Sequence, residues 1–409
     1  MPSAVRRLIT GVAISALGTG LTLPYTLIFL HEVRGIALPT TGLLLAIPGV
    51  ISLFSVPAAG ALIDRFGPRA VLRATMALQA AANVVLAFAE TPTEAVPALL
   101  LLGFGLGPSF PAAGALMSSL VSGPELQARA FGLQFTILNA CIGIGGLTGA
   151  AIIDIDRPLT FVVLYLGNAA SCLAYAALVP PAPASAPVPD EVEVAPPSYR
   201  EVLSDPVFRR VCLVSLLFAL TGYAALDGGF PAFARVVGEV PPQVIGLAFA
   251  ANTALITAGQ LLVLRLIKGR RRSLALAGAA LLWALSWALL GLVAGLSAVG
   301  GVIVVLAFAC VFGLGETLMA PCLGPLVNAL ATDRLRGRYN AMSGATFSIA
   351  FVVGPALAGV LIGTGLGLLW LGLLVAGALG AARLAWGLRS RLTDEQDGLV
   401  PAAVSGAGA

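Results

Sequence analysis

The stretch "LLGFGLG", residues 101–107, ends on Phe104-Gly105-Leu106-Gly107, and the same four residues return 208 positions later as Phe312-Gly313-Leu314-Gly315. In a chain with 48 glycines such a match carries weight only if its surroundings match as well. They do. Arg129 falls on Arg338, and Gly145-Gly146 on Gly354-Pro355, at a constant offset of 209. "ARAFGLQFTILNACIGIGGLTGA" therefore overlays "GRYNAMSGATFSIAFVVGPALAG", each time a basic loop entering a glycine-rich helix. "LPYTLIFLHEVRGIALPTTG" and "FPAFARVVGEVPPQVIG" correspond more loosely. A loop-helix pattern repeated at half the chain length implies two related halves.

Composition says in which solvent they fold. The chain is 58% hydrophobic and 10% charged, with mean hydropathy +0.98, whereas a soluble domain carries about 25% charged residues. Spanning a hydrocarbon core takes about 20 helical residues. Twelve apolar runs are long enough, near 8–30, 39–63, 70–90, 95–121, 129–153, 159–179, 211–234, 242–266, 273–295, 299–327, 339–363 and 367–388. None alternates as a barrel strand does. Arg6 and Arg7 precede the first run, but it lacks the small-residue cleavage site of a signal peptide. The expected fold is an all-α membrane protein of twelve transmembrane helices in two pseudo-symmetric six-helix bundles.

The longest polar break, residues 180–206, holds eight prolines and an acidic cluster and reads as a solvated linker. The expected organisation is an N-terminal bundle over 1–179, a cytoplasmic linker over 180–206, a C-terminal bundle over 207–390 and a disordered cytoplasmic tail over 391–409. With both termini inside, 20 of the 23 basic residues fall on the inner face, which orients a multi-pass protein, and the expected location is a bacterial inner membrane. The net charge of +4 is thus a topology signal and not a nucleic-acid footprint. Five scattered cysteines form no C-x-x-C pair, and no metal-spaced cluster, P-loop or G-x-S-x-G is present, so neither metal nor cofactor nor enzymatic chemistry is expected.

Between the second and third runs stands "GALIDRFGPR", Gly60 to Arg69. Gly60, Asp64, Arg65, Gly67 and Arg69 resemble the cytoplasmic signature of the major facilitator superfamily, with Pro68 in place of a usual arginine. The glycine-then-proline pattern of the first run, "GTGLTLPYTLIFL", is similar to the family as well. The resemblance implies two bundles rocking about a central site, and a cytoplasmic gate in which Asp64 latches against the inner end of the eleventh helix, with Arg338 as a partner. The twelve-helix drug-proton antiporter branch carries G-P-x-x-G-G in the fifth helix. Here that position reads Gly145-Gly146-Leu147-Thr148-Gly149-Ala150, and the proline form stands in the eleventh helix from Gly354-Pro355. A family arginine of the fourth helix is replaced by Leu99 or Leu101.

Small residues spaced one turn apart let membrane helices approach closely. Asn139, Gly143, Gly146 and Ala150 form such a face, as do Ser348, Val352, Pro355 and Gly359. Ionisable groups inside a span are functional candidates by default. Two carboxylates qualify: Asp227 in "TGYAALDGGFPAF", with Tyr223 one turn before it, and Glu316 in "FGLGETLMAP". Burial in an apolar chamber disfavours the anion, so such a group can take a proton on one side and lose it on the other. The alternative for Asp227 is a wet position paired with Arg235. The polar stripe of Asn252, Thr253, Thr257 and Gln260, that of Ser15, Thr19 and Thr22, and the aromatics Tyr25, Phe110 and Tyr223 either line a substrate cavity or pack between helices. His31 and Glu32 read as an outer-loop pair.

The expected function is export of small amphiphilic molecules by proton antiport and alternating access, with Asp227 and Glu316 coupling protons. The expected partners are a small-molecule substrate, protons and the lipid bilayer, and the chain is expected to be a monomer. An uptake symporter or facilitator, or a non-transporting receptor on the same fold, remains the alternative.

Overall fold

In the computed structural model, residues 2–121, 123–181, 199–332 and 335–399 are described. Their regular structure is helical throughout, and twelve helices are long and apolar enough to cross a membrane. The first half comprises α1 (Ser3–Val33), α2 (Leu38–Phe66), α3 (Pro68–Phe88), α4 (Pro92–Leu120), α5 (Pro124–Ile152) and α6 (Leu159–Leu178). The second comprises α7 (Pro206–Val236), α8 (Pro242–Ile267), α9 (Arg272–Gly295), α10 (Ala298–Leu330), α11 (Arg336–Gly363) and α12 (Gly367–Ser390).

Local chemistry sets the helix ends. Pro68, Pro92, Pro206 and Pro242 open α3, α4, α7 and α8, where the N–H that proline lacks has no intrahelical partner to lose. Asp205 caps α7, its Oδ1 accepting the Val207 N–H at 2.8 Å, and Thr91 caps α4 by accepting the Glu94 N–H at 3.3 Å. Between α2 and α3, Gly67 has φ +80°, a conformation that favours glycine and makes the reversal tight.

Packing repeats as the sequence does. In the first half α1 packs on α5 and α6, α3 on α4 and α6, and α2 on α4. In the second, α7 packs on α11 and α12, α9 on α10 and α12, and α8 on α10. The recurrent FGLG serves this arrangement. Gly107 lies against Ser55 on α2 and Gly105 against Gln79 on α3, while Gly313 lies against Asn252 on α8 and Gly315 against Trp283 on α9. Two glycines on opposite faces seat a helix tightly against both of its neighbours.

Two seams join the halves, α2 with α11 and α5 with α8. Gly42 and Gly49 meet the α11 backbone at Pro355, Gly359 and Phe351, and Gly143 and Gly146 face Thr253 and Gly246 of α8. These contacts close only one end. Toward the other, among the described residues, a Cβ added at Gly60, Gly132, Gly337 or Gly344 would meet nothing within 4 Å. The halves thus touch near the α1–α2 and α7–α8 loops and diverge toward the α2–α3 loop and the start of α11.

Two expectations about the polar segments change. The tail is ordered as far as residue 399, because its Asp397 is fully buried and caps α9. Asp397 Oδ1 accepts the Ser273 N–H at 2.8 Å, and Oδ2 accepts the Ser273 hydroxyl at 2.8 Å and Arg271 Nη1 at 3.3 Å. Residues 400–409 of that expected tail lie outside the described residues, as do residues 182–198 of the expected linker. The linker's end is a short helix, Tyr199–Ser204.

Candidate functional site

Between the diverging halves lies a chamber of about 460 Å³. Residues of α1, α2, α3, α4 and α6 line it from one half, and residues of α7 and α11 from the other. Its wall is mostly hydrocarbon, with Leu23, Leu27, Leu45, Leu86, Leu99 and Phe351 among the contributors. Among the described residues, Asp227 is the one charged side chain in that lining.

The backbone aims it there. Residues Ala225–Gly229 form a single π-helical turn within α7, a widened turn of the kind often found at functional sites. Gly228 lies against Pro355 of α11 and Gly229 against Trp370 of α12, so α7 is pressed onto both helices with no room for a side chain. Asp227, the residue just before them, lines the chamber. Among the described residues its carboxylate makes no hydrogen bond or ion pair. Glu316 sits behind it on α10, 6% exposed, with the Tyr223 hydroxyl and the Asn252 side chain beside its carboxylate.

Arg235 is not the partner of Asp227. It reaches across the closed end to Glu32 of α1, donating Nε to Oε1 at 2.7 Å and Nη2 to Oε2, while its Nη1 donates to the Val240 carbonyl at 2.7 Å. His31, read with Glu32 as a loop pair, instead bonds the Ile36 carbonyl through Nδ1 at 2.8 Å.

The sequence profile of the Major Facilitator Superfamily matches residues 8–293 and, in a second overlapping match, 238–404. The chain belongs to this superfamily. It is a multi-pass membrane transporter of small molecules and not an enzyme. It is 24% identical over 366 residues, 88% of this chain and 89% of the other, to the uncharacterized MFS-type transporter YttB of Bacillus subtilis. The multidrug resistance protein MdtG of Yersinia enterocolitica is 28% identical over 155 residues, 37% of each chain. In fold, the transporter superposes on the nucleoside transporter NupG with TM-score 0.77 at 12% identity, covering 93% of this chain and all of that one. The D-xylose–proton symporter gives TM-score 0.72 at 14% identity, covering 93% and 97%.

Other residues singled out from the transporter's sequence are distributed more widely. Tyr25 does not line the chamber. It is 1% exposed, donates its hydroxyl to the Gly146 carbonyl at 2.6 Å, and lies against Gly246 of the other half, so it packs the closed seam. Phe110 is also outside the lining. It lies one turn past Leu106 and is 77% exposed. Thr257 is exposed and Gln260 half-buried, and neither lines the chamber. Asn139 bonds back to Phe135 of its own helix at 2.9 Å instead of reaching across a seam. Gly145 and Gly354 seat α5 on α1 and α11 on α7 within their halves, whereas Gly143, Gly146 and Pro355 stand on the seams between halves. Of the gate residues, Asp64, Arg65 and Arg69 are exposed, and Asp64 makes no ion pair among the described residues. The guanidinium of Arg65 lies over the Phe66 ring at 5.2 Å. The parted halves explain why no latch is made.

Sequence reasoning missed a neutral network in the first half. Asn168 of α6 donates Nδ2 to Thr22 Oγ1 of α1 and to Asn83 Oδ1 of α3, both at 3.0 Å. Asn83 Nδ2 donates to the Gln79 carbonyl at 2.8 Å, Gln79 Nε2 to the Gly105 carbonyl at 3.1 Å, and the Tyr165 hydroxyl to Thr26 Oγ1 at 3.1 Å. Gln79, Asn83, Tyr165 and Asn168 all line the chamber. A signal was present: amide side chains are rare in the middle of apolar spans, and Gln79 and Asn83 stand one turn apart on a single face.

Proposed function

We propose that the chain exports small amphiphilic cations in exchange for protons by alternating access. The observation that carries this reading is Asp227, a carboxylate with no hydrogen-bond or ion-pair partner among the described residues, in an apolar chamber that both halves share. A cation entering the chamber meets the anionic form, and protonation from the other side removes the attraction and releases it. Glu316, behind Asp227 and away from the chamber lining, holds a second proton without touching substrate. The partial likeness to MdtG, named for multidrug resistance, supports export of this kind.

In this reading both termini are cytoplasmic, the membrane is the bacterial inner membrane, and the open end faces inward. The bundles 1–179 and 207–390 rock as bodies about the glycine seams. Closing the inner end would bring Asp64 toward Arg338 and the amides near Asn340. A single chain suffices, because the chamber is complete within it.

The neutral amide wall favours a second reading, uptake of an uncharged polar solute. One experiment separates the two. Purified protein in liposomes with an imposed pH gradient should accumulate a lipophilic amine beyond the level that protein-free liposomes reach by trapping the amine as its cation, and Asp227→Asn should add nothing to that level. If Asp227→Asn and Glu316→Gln both accumulate substrate as steeply as wild type, these carboxylates do not carry the coupling.

A further inference from the structure

We infer that the chamber is a two-pole site for amines that retain an N–H and carry a second, neutral polar group such as a hydroxyl or amide. The inference rests on the proposed reading of Asp227 as the acid that meets substrate, and it assigns specificity to Gln79 and Tyr165.

The poles lie on different halves: Asp227 on α7, and Gln79 and Tyr165 on α3 and α6. They differ in kind. An ionised carboxylate only accepts hydrogen bonds, and Asp227 has no donor among the described residues, so its oxygens call for a positively charged N–H. Such a charge-assisted bond is short and strong, whereas a quaternary ammonium has no hydrogen to give and leaves the carboxylate unpaired in an apolar space.

The opposite wall is neutral and largely satisfied from within. Asn168 spends both amide hydrogens on Thr22 and Asn83, and Tyr165 donates its hydroxyl to Thr26. Gln79 Oε1 has no donor among the described residues, Tyr165 keeps a lone pair, and Gln79 and Asn83 each keep one amide hydrogen. What this wall still offers is a mixed set of acceptors and donors, which suits a hydroxyl or amide that does both. The same chamber is lined by Leu23, Leu27, Leu86, Leu99 and Leu102, which take hydrocarbon. Among the described residues no basic side chain lines the chamber, so an anionic substrate finds no partner. A ligand bonded to both poles bridges the two halves and so links its own binding to their relative position.

The test uses the full chain in liposomes under a pH gradient, reading the initial rate above that of protein-free liposomes so that passive trapping of the free amine is removed, with three matched compounds: an aryloxypropanolamine with a secondary amine and a hydroxyl, its quaternised form, and its deoxy form. The expected transport efficiency for the parent exceeds that for the quaternary form about tenfold and that for the deoxy form about fivefold. Combining Gln79→Leu with Tyr165→Phe should bring the parent-to-deoxy ratio near one while the parent-to-quaternary ratio persists. Tyr165→Phe alone keeps the ring and its packing. It should lower the hydroxyl preference without lowering the melting temperature by more than a few degrees, which separates recognition from misfolding. Equal transport of all three compounds, or a hydroxyl preference unmoved in the double variant, overturns the two-pole site while gradient-driven export still stands. If the gradient moves none of the three, the exporter reading falls and the two-pole site falls with it.

Discussion

Replacing Glu32 by glutamine should release the closed end of the transporter. Glu32 and Arg235 join α1 to α7 across the two halves in a two-point contact, and their side chains are only 19% and 18% exposed. Exposed ion pairs contribute about 0.2–1 kcal/mol, whereas removing one member of a buried pair costs about 3–5 kcal/mol. A bidentate pair one-fifth exposed falls between these limits, at about 2 kcal/mol. The penalty is felt only where the halves meet, so the ratio of this state to the one open at the opposite end should fall about 30-fold. Arg235 would keep its bond to the Val240 carbonyl, so the change is confined to the contact between halves. The assay is a distance distribution between spin labels at Glu90→Cys and Leu296→Cys, in a background free of the five native cysteines. Those positions lie beyond α3 and α9 at the closed end, on different halves. Glu32→Gln should shift weight to the longer distance, Arg235→Gln should do the same, and the exchanged pair Glu32→Arg with Arg235→Glu should restore the wild-type distribution. Unchanged populations in both single variants, or a failed restoration in the exchanged pair alongside them, would refute the latch.

Exchange of one monovalent cation for two protons moves one net charge, so an imposed potential of 100 mV should change the accumulation ratio about 50-fold, from about 2.3 kcal/mol per charge. Glu316→Gln should abolish that response and leave the dependence on the pH gradient, as measured with a potassium diffusion potential. Gly246→Val places a branched side chain against the Gly146 carbonyl and Ala150, so labels at the closed end should separate and transport should fall at least tenfold. Asp397→Ala removes the cap of α9 and leaves Arg271 without one of its two carboxylates, for a loss of about 2 kcal/mol read as a lower melting temperature in detergent. Tyr25→Phe should cost about 1 kcal/mol of stability from the lost bond to Gly146 with KM unchanged, because Tyr25 packs a seam and does not line the chamber.

Much of this was legible in the chain because the bilayer imposes local rules. A span must be long, apolar and helical wherever it occurs in the sequence, so twelve spans and their halves follow from hydropathy and from a repeat such as FGLG. Asp227 could be singled out for the same reason, since a charge inside an apolar run is costly in any fold. What could not be read locally is which side chains meet. Glu32 and Arg235 are 203 positions apart, and Asn168 lies 146 and 85 positions from Thr22 and Asn83. Tyr25 and Phe110 look alike as aromatics in apolar runs, yet one fills a seam and the other stands exposed. Asp397 in a polar tail looks solvated until α9 is placed over it. Hydropathy is a property of each segment, so sequence alone settled the twelve spans and could mark Asp227 as a candidate. Pairing across seams depends on how two rigid halves are tilted, so the latch, the neutral wall and the shape of the chamber were decided only by tertiary structure.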